Sequence, residues 1–334
     1  MDPKNNGPAG QAASIHDETY FFDDGDCTFL ADGVTFKLHK WALRRDPNSA
    51  FHDMISIPQA KASESDLIPA DDNKDEFRAL CWVLYATPDE THLQTTREGD
   101  VQKLLNVAKM CHKYNLLLFE TWALKVLVIQ FEPPLDHLAT CTHDELDRIM
   151  ALACLCDYAE LLRLVDAAWL SRLEAKQLRW GDALAAGEKY NRRKFQGEVY
   201  YLLNKQIHSN LASLAISPQL GFSDLGLTDK QLVRLLTGHA FLSNLWWRLR
   251  HEPLPRSPPC NEFSHGHYCQ TDWSKVRSTL TTGPDMLAVL KSARNRLPVD
   301  KKCIENHLDV LIASAVTEKA DYFLGVEITT LPTS

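Results

Sequence analysis

Four residues of the types that bind metal ions lie close together in the C-terminal half of the chain. Cys260 and Cys269 enclose His265 and His267 within ten positions. The segment is flanked by prolines, and Gly266 adds backbone freedom, so a loop is expected here. Thiolates and imidazoles are the ligands of structural zinc sites, which need four such groups in a tetrahedron. The segment is therefore a candidate structural zinc site, with Cys260, His265, His267 and Cys269 as its candidate ligands.

The spacing does not match a zinc finger, because the two histidines are only two positions apart. An arrangement with both cysteines, one histidine and a distant fourth ligand fits better. Cys303 and His307 are four positions apart on a predicted helix and could supply that ligand. The alternative is an ordinary polar loop whose cysteines are buried as small apolar side chains.

No catalytic activity has a comparable signature in the sequence. The chain lacks the G-x-S-x-G, P-loop, G-x-G-x-x-G and H-E-x-x-H motifs, so it is not expected to be an enzyme. Its net charge is −8 with both signs interspersed, which disfavours nucleic acid and membrane as partners. The basic run 192–194 is too short to change this expectation.

A β-hairpin is predicted near the N-terminus. Apolar residues alternate with more polar ones on both sides of Asp32-Gly33, a pair that tolerates the positive φ angles of a two-residue turn. The apolar positions are Cys27, Phe29, Ala31, Val34, Phe36 and Leu38.

Further elements follow in a definite order. The hairpin leads into His39-Lys40 and a short apolar helix, and Leu67-Ile68-Pro69 could form a strand that its proline confines to a sheet edge. A helix capped by Asp71 or Asn73 carries one apolar stripe. Two more apolar helices follow, and the second ends before Pro133-Pro134.

This order resembles the BTB/POZ domain, in the abbreviated form numerous in fungi. The resemblance covers about residues 20–131 and includes the pattern Asp-x-x-x-x-Phe-x-x-Leu-x-x-x-Leu-Tyr from Asp72 to Tyr85. It implies an α+β fold, a small sheet with helices, and a role in protein–protein interaction. The arginine-rich turn 44–49 departs from the family's usual serine-containing turn.

The resemblance also implies where a partner binds. In BTB domains the first hairpin and first helix commonly form a dimer interface, and here they offer Tyr20, Phe21, Phe22 and Trp41. Neighbours along an extended strand point to opposite faces, so one hairpin face cannot bury all of these rings. A homodimer would bury the remainder, unless the rings fold back onto the helices of the same chain.

The sequence therefore favours a protein-interaction adaptor with the helical region as a second binding surface. One alternative is a substrate adaptor of a cullin-3 ubiquitin ligase. Such adaptors often carry a hydrophobic-x-Glu element, to which Ala62-Ser63-Glu64 is the nearest match. A transcription regulator, or an enzyme built on the helical region, is also compatible with this organisation.

The predicted organisation is a disordered lead, 1–18, the BTB-like domain, 20–131, and an all-α region, 135–334, with a proline-rich break near 251–259. Capping boxes at Thr142-x-x-Glu145 and Thr228-x-x-Gln231 mark two helix starts. The chain has nine scattered cysteines and no apolar leader, and charges interrupt its longest apolar stretch. These features predict reduced thiols in the cytoplasm, the nucleus or both.

Overall fold

The structure is a computed structural model whose chain divides into two compact units, 1–168 and 169–334. The residues it describes are 15–56, 67–213, 225–258, 260–280, 286–297, 301–317 and 319–325.

A four-stranded sheet with the order β1-β3-β2-β4 opens the first unit. Its strands are β1 (Ile15–Phe21), β2 (Cys27–Ala31), β3 (Val34–Leu38) and β4 (Leu67–Ala70). β2 and β3 pair antiparallel through Asp32 and Gly33, whose φ angles are 48° and 75°. The predicted hairpin is therefore confirmed, with its apolar side chains buried.

Both edge strands of the sheet pair in parallel with a strand of this hairpin. β4 pairs with β2 and contains Pro69, which confirms the predicted edge strand. β1 pairs with β3 and begins at Ile15, so the predicted disordered lead is wrong for 15–18, and residues 1–14 lie outside the described part.

A buried side chain holds β1 in place. Asp17 Oδ1 accepts the N–H groups of Thr19 and Tyr20, and Arg78 Nε donates to Asp17 Oδ2 over 2.6 Å.

Helices make up most of the remaining described residues of the first unit. They are α1 (Lys40–Leu43), α2 (Ala50–Ser56), α3 (Lys74–Tyr85), α4 (Pro88–Leu93), α5 (Val101–Lys113), α6 (Leu117–Phe131), a 3-10 turn (His137–Ala139), α7 (His143–Leu155) and α8 (Ala159–Glu174), which includes the division between the units. The predicted caps are present at Asn73 and Thr142. The first unit thus continues past 131–135, where the sequence placed a domain boundary.

Aromatic rings from the sheet and α3 form the core of this unit. Phe77 lies 5.5 Å from Phe29 and 4.8 Å from Phe36 between ring centroids, and all three rings are buried. The predicted apolar stripe of α3 is therefore the face that covers the hairpin.

The described residues of the second unit form helices joined by turns and loops, with no strand among them. Its helices are α9 (Trp180–Lys189), α10 (Arg193–Ser213), α11 (Asp229–His251), α12 (Glu262–Ser264), α13 (Gln270–Thr279), α14 (Met286–Asn295), α15 (Lys302–Thr317) and α16 (Lys319–Leu324). α10 packs so closely on α16 that a Cβ atom at Gly197 would lie 2.6 Å from Ala320 Cα. Among the described helices none is both long and apolar enough to cross a membrane.

Candidate functional site

The segment that carries the candidate metal ligands is helical, and the predicted loop is wrong there. Asn261 caps α12 by accepting the N–H of Ser264 over 2.7 Å. A π-turn from His265 to Cys269 then joins α12 to α13 without a break. The wider π-turn sets where the side chains of His265 and Cys269 point.

Four side chains converge at this turn. The donor atoms of Cys260, His265, Cys269 and Cys303 all lie within 4.8 Å of one another, and this group is called the Cys3His cluster below. The Sγ atoms of Cys260 and Cys269 are 3.7 Å apart. Cys303 comes from the first turn of α15, which makes it the distant fourth member. The Cys3His cluster could hold a metal ion.

The other two candidate histidines lie outside the cluster. The ring of His267 is exposed and stacks on Phe263, with 5.8 Å between centroids. Its position two residues after His265 on a helical backbone turns it away, and the prediction of His267 as a ligand is not supported by this geometry. His307 packs edge-on against Trp273 at 5.2 Å, and burial lowers its pKa.

His265 is positioned as a ligand would be. It is buried, and its Nε2 lies 2.9 Å from the carbonyl oxygen of Leu254. Gln270 donates to the same carbonyl over 2.8 Å. Among the described residues His265 Nδ1 has no hydrogen-bond partner, although it is buried. Metal-binding histidines usually have this arrangement, in which a hydrogen bond at one ring nitrogen orients the ring and the other nitrogen binds the metal.

The thiols of the cluster influence one another's protonation. Burial and a shared hydrogen bond with Cys260 raise the pKa of Cys269 to about 12. Burial also acts to raise the pKa of Cys303, but hydrogen bonds with Ser257 and with the thiols of Cys260 and Cys269 lower the pKa. A metal ion binds thiolates, so binding at this cluster would release protons.

A second candidate site lies on the first unit, where three predicted partner-binding residues surround Tyr85. The ring centroid of Tyr85 is 6.3 Å from Tyr20, 4.9 Å from Phe22 and 5.9 Å from Trp41. Tyr20, Phe22, Trp41 and Tyr85 are called the aromatic surface below. Phe21 lies apart from these rings and stacks on His16 at 3.8 Å. The two residues are five positions apart, so regular alternation would place them on opposite faces, and the register shift of β1 between them brings their rings together.

Trp41 is the exposed member of the aromatic surface, with 60% of its area open to solvent. The N-terminal end of its short helix is held by two hydrogen bonds. Asp26 Oδ1 accepts the N–H of Lys40 over 2.7 Å, and the N–H of His39 donates to the Tyr85 hydroxyl over 2.9 Å. His39 therefore has a structural role, while Trp41 presents its indole to solvent. The sequence alone did not assign Tyr85 to this surface.

An apolar groove of about 490 Å³ lies elsewhere on the same unit. Leu118 at its rim is exposed, and Arg45 lies over the Phe119 ring at 5.3 Å. Its lining residues are Arg45, Val83, Ala86, Pro88, Thr91, Leu118, Phe119 and Trp122. The Ala62-Ser63-Glu64 element considered for cullin-3 binding lies outside the described residues.

Comparison with models of known families, with curated proteins and with solved structures found no match to this chain. The resemblance to BTB/POZ domains is therefore carried by the residues quoted above and stays a prediction. The structure itself shows a small four-stranded sheet followed by a mostly helical chain.

Proposed function

We propose that the chain is a protein-interaction adaptor that pairs with a second copy of itself through the aromatic surface. The observation that carries this proposal is Trp41, a large indole exposed to solvent on a short helix whose N-terminal end is fixed by two hydrogen bonds. Tryptophan is enriched among the residues that dominate binding energy at interfaces. A side chain held in place before binding also loses little conformational entropy on association.

The order of elements supports the same proposal. Hairpin, short helices, edge strand, the Phe77-bearing helix and a pair of apolar helices follow one another as the BTB resemblance implies. In that family this end of the domain commonly forms the dimer interface. A two-fold pairing would bring Trp41 of each copy against the aromatic surface of the other.

The intramolecular alternative accounts for part of the surface. Tyr20 and Phe22 are half-buried against Tyr85 of their own chain, so they act mainly as the floor of the surface. Trp41 touches the same ring edge-on but keeps most of its area exposed. The proposal therefore depends on Trp41 more than on the other three rings.

Light scattering after size exclusion tests this proposal. Wild type is expected to run as a dimer, and Trp41→Asp is expected to shift it to monomer, because a charge would enter the apolar centre of the interface. Trp247→Asp is the matched control, since Trp247 of the second unit is 57% exposed. A wild-type monomer at concentrations about 50 times a micromolar Kd would refute self-association.

The helical unit provides exposed apolar side chains for a second partner, which supports the adaptor role. Val233, Phe241 and Trp247 of α11 are exposed, whereas Trp246 is buried.

We also propose that the Cys3His cluster binds a structural zinc ion. Two thiolates bound to one tetrahedral zinc at about 2.3 Å would lie about 3.8 Å apart. Cys260 and Cys269 Sγ are 3.7 Å apart, and His265 Nδ1 is buried without a partner among the described residues. Zinc would tie α15 to the turn that precedes α13.

A further inference from the structure

A second group of metal-binding side chains converges in the first unit, in a different part of the chain from the Cys3His cluster. His112 lies in the last turn of α5, Glu120 in the first turn of α6, and Cys156 at the C-cap of α7. Their donor atoms lie within 4.8 Å of one another. Three separate helices therefore deliver an imidazole, a carboxylate and a thiol to one point.

Glu120 is the central member of this group. Its side chain is only 11% exposed. Its Oε1 lies 2.9 Å from His112 Nδ1, and the Cys156 thiol shares a hydrogen bond with its carboxylate. Within the described part of the chain no lysine or arginine forms an ion pair with Glu120. Burying a carboxylate is costly unless a cation compensates it, and here only a histidine is at hand.

We propose that His112, Glu120 and Cys156 form a second metal site, for a zinc-like divalent cation, with one coordination position open to solvent. The set of one nitrogen, one oxygen and one sulfur suits zinc, and it does not suit magnesium or calcium, which prefer oxygen ligands. Three protein ligands leave a fourth position for water. The His112 side chain is 37% exposed, so the site has an open edge.

The geometry needs only a small adjustment to accept the ion. Nitrogen and oxygen ligands at about 2.0–2.1 Å from a tetrahedral zinc are about 3.3 Å apart. The observed separation of 2.9 Å is that of a hydrogen bond, so the ion would replace a shared proton between His112 and Glu120. Binding would also displace the thiol proton of Cys156.

Equilibrium dialysis of the metal-stripped full chain against excess zinc chloride, followed by metal analysis, tests this proposal. Wild type is expected to hold two equivalents, one in each site. Cys156→Ser and Glu120→Gln are each expected to hold one, with at least a tenfold loss of affinity at the altered site. Cys154→Ser is the matched control, because this neighbouring thiol is not a member of either group, and it should hold two. Circular dichroism of each variant identifies any that fails to fold, and His112→Asn then replaces it.

The zinc content of the variants tests the two proposed metal sites independently of each other. Cys303→Ser should also hold one equivalent, through loss of the Cys3His site. A wild-type content of one equivalent that Cys303→Ser abolishes and Cys156→Ser leaves unchanged would overturn the second site and leave the structural zinc intact. One equivalent with the opposite dependence would support the second site alone. Zinc-free wild type would overturn both and leave the three side chains as a hydrogen-bonded group.

Discussion

The Sγ atoms of Cys260 and Cys269 lie 3.7 Å apart, although the residues are nine positions apart in the chain. A regular α-helix cannot bring such positions together, since nine residues extend it by about 13.5 Å. Cys260 instead precedes the cap at Asn261, and the π-turn from His265 to Cys269 carries the second thiol back towards it. This local geometry places both thiols beside Cys303 of α15.

Zinc content should follow the membership of the Cys3His cluster. Cys303→Ser and His265→Ala are expected to lose one equivalent of zinc, because three ligands hold a structural ion far less tightly than four. His267→Ala is the control and should keep it, since this ring stacks on Phe263 outside the cluster. Metal analysis of purified protein measures the content. A loss in His267→Ala with none in Cys303→Ser would show that the ligands are assigned wrongly.

Chelation should destabilise the second unit in particular. Removal of zinc leaves α15 attached to the 260–269 turn only by packing and hydrogen bonds, so the melting transition of that unit should move to lower temperature. Differential scanning calorimetry with and without chelator measures the shift. An unchanged melting curve for a protein that has lost zinc would mean that the ion does not hold this region together.

The core of the first unit should be sensitive to Phe77. Phe77→Ala removes a fully buried ring between the sheet and α3 and should cost roughly 3–5 kcal/mol of unfolding free energy. Leu118→Ala is the control, because that side chain is 68% exposed. Urea unfolding measures both. A cost below about 1 kcal/mol for Phe77→Ala would place the core elsewhere.

The N-terminal strand should depend on Asp17. Asp17→Ala removes the acceptor of two backbone N–H groups and of the Arg78 guanidinium, so β1 should detach from β3. The expected cost is about 1–3 kcal/mol, since three partly buried hydrogen bonds lose their acceptor. Hydrogen exchange of the β1 amides measures the detachment directly. Protection of Thr19 and Tyr20 that survives the substitution would show that this side chain does not hold the strand.

The contact between α10 and α16 should tolerate no side chain at Gly197. In Gly197→Ala the new Cβ would lie 2.6 Å from the backbone of Ala320, so α16 must move and stability should fall by more than about 1 kcal/mol. Gly266→Ala is the matched control, because its Cβ would meet nothing within 4 Å. Thermal unfolding compares the two variants. Equal stability would mean that α16 is not packed on α10 in solution.

Much of the fold could be predicted from sequence patterns that involve only residues close together in the chain. The alternation around Asp32-Gly33 fixed the hairpin, and the capping boxes at Thr142 and Thr228 fixed two helix starts, because both depend on contacts a few residues apart. The start of α4 at Pro88 was not predicted, although proline is tolerated at the first position of a helix, where its missing N–H costs nothing.

Only the tertiary structure decided which distant side chains meet. The sequence predicted a zinc site around Cys260 and Cys269, but only the packing decided that His265 and not His267, and Cys303 and not His307, complete the cluster. The convergence of His112, Glu120 and Cys156 gave no sequence signal, because their spacing matches no local motif. The parallel pairing of β1 with β3 was missed for the same reason. Such contacts depend on the summed packing of whole helices and strands, and no short stretch of sequence contains that information.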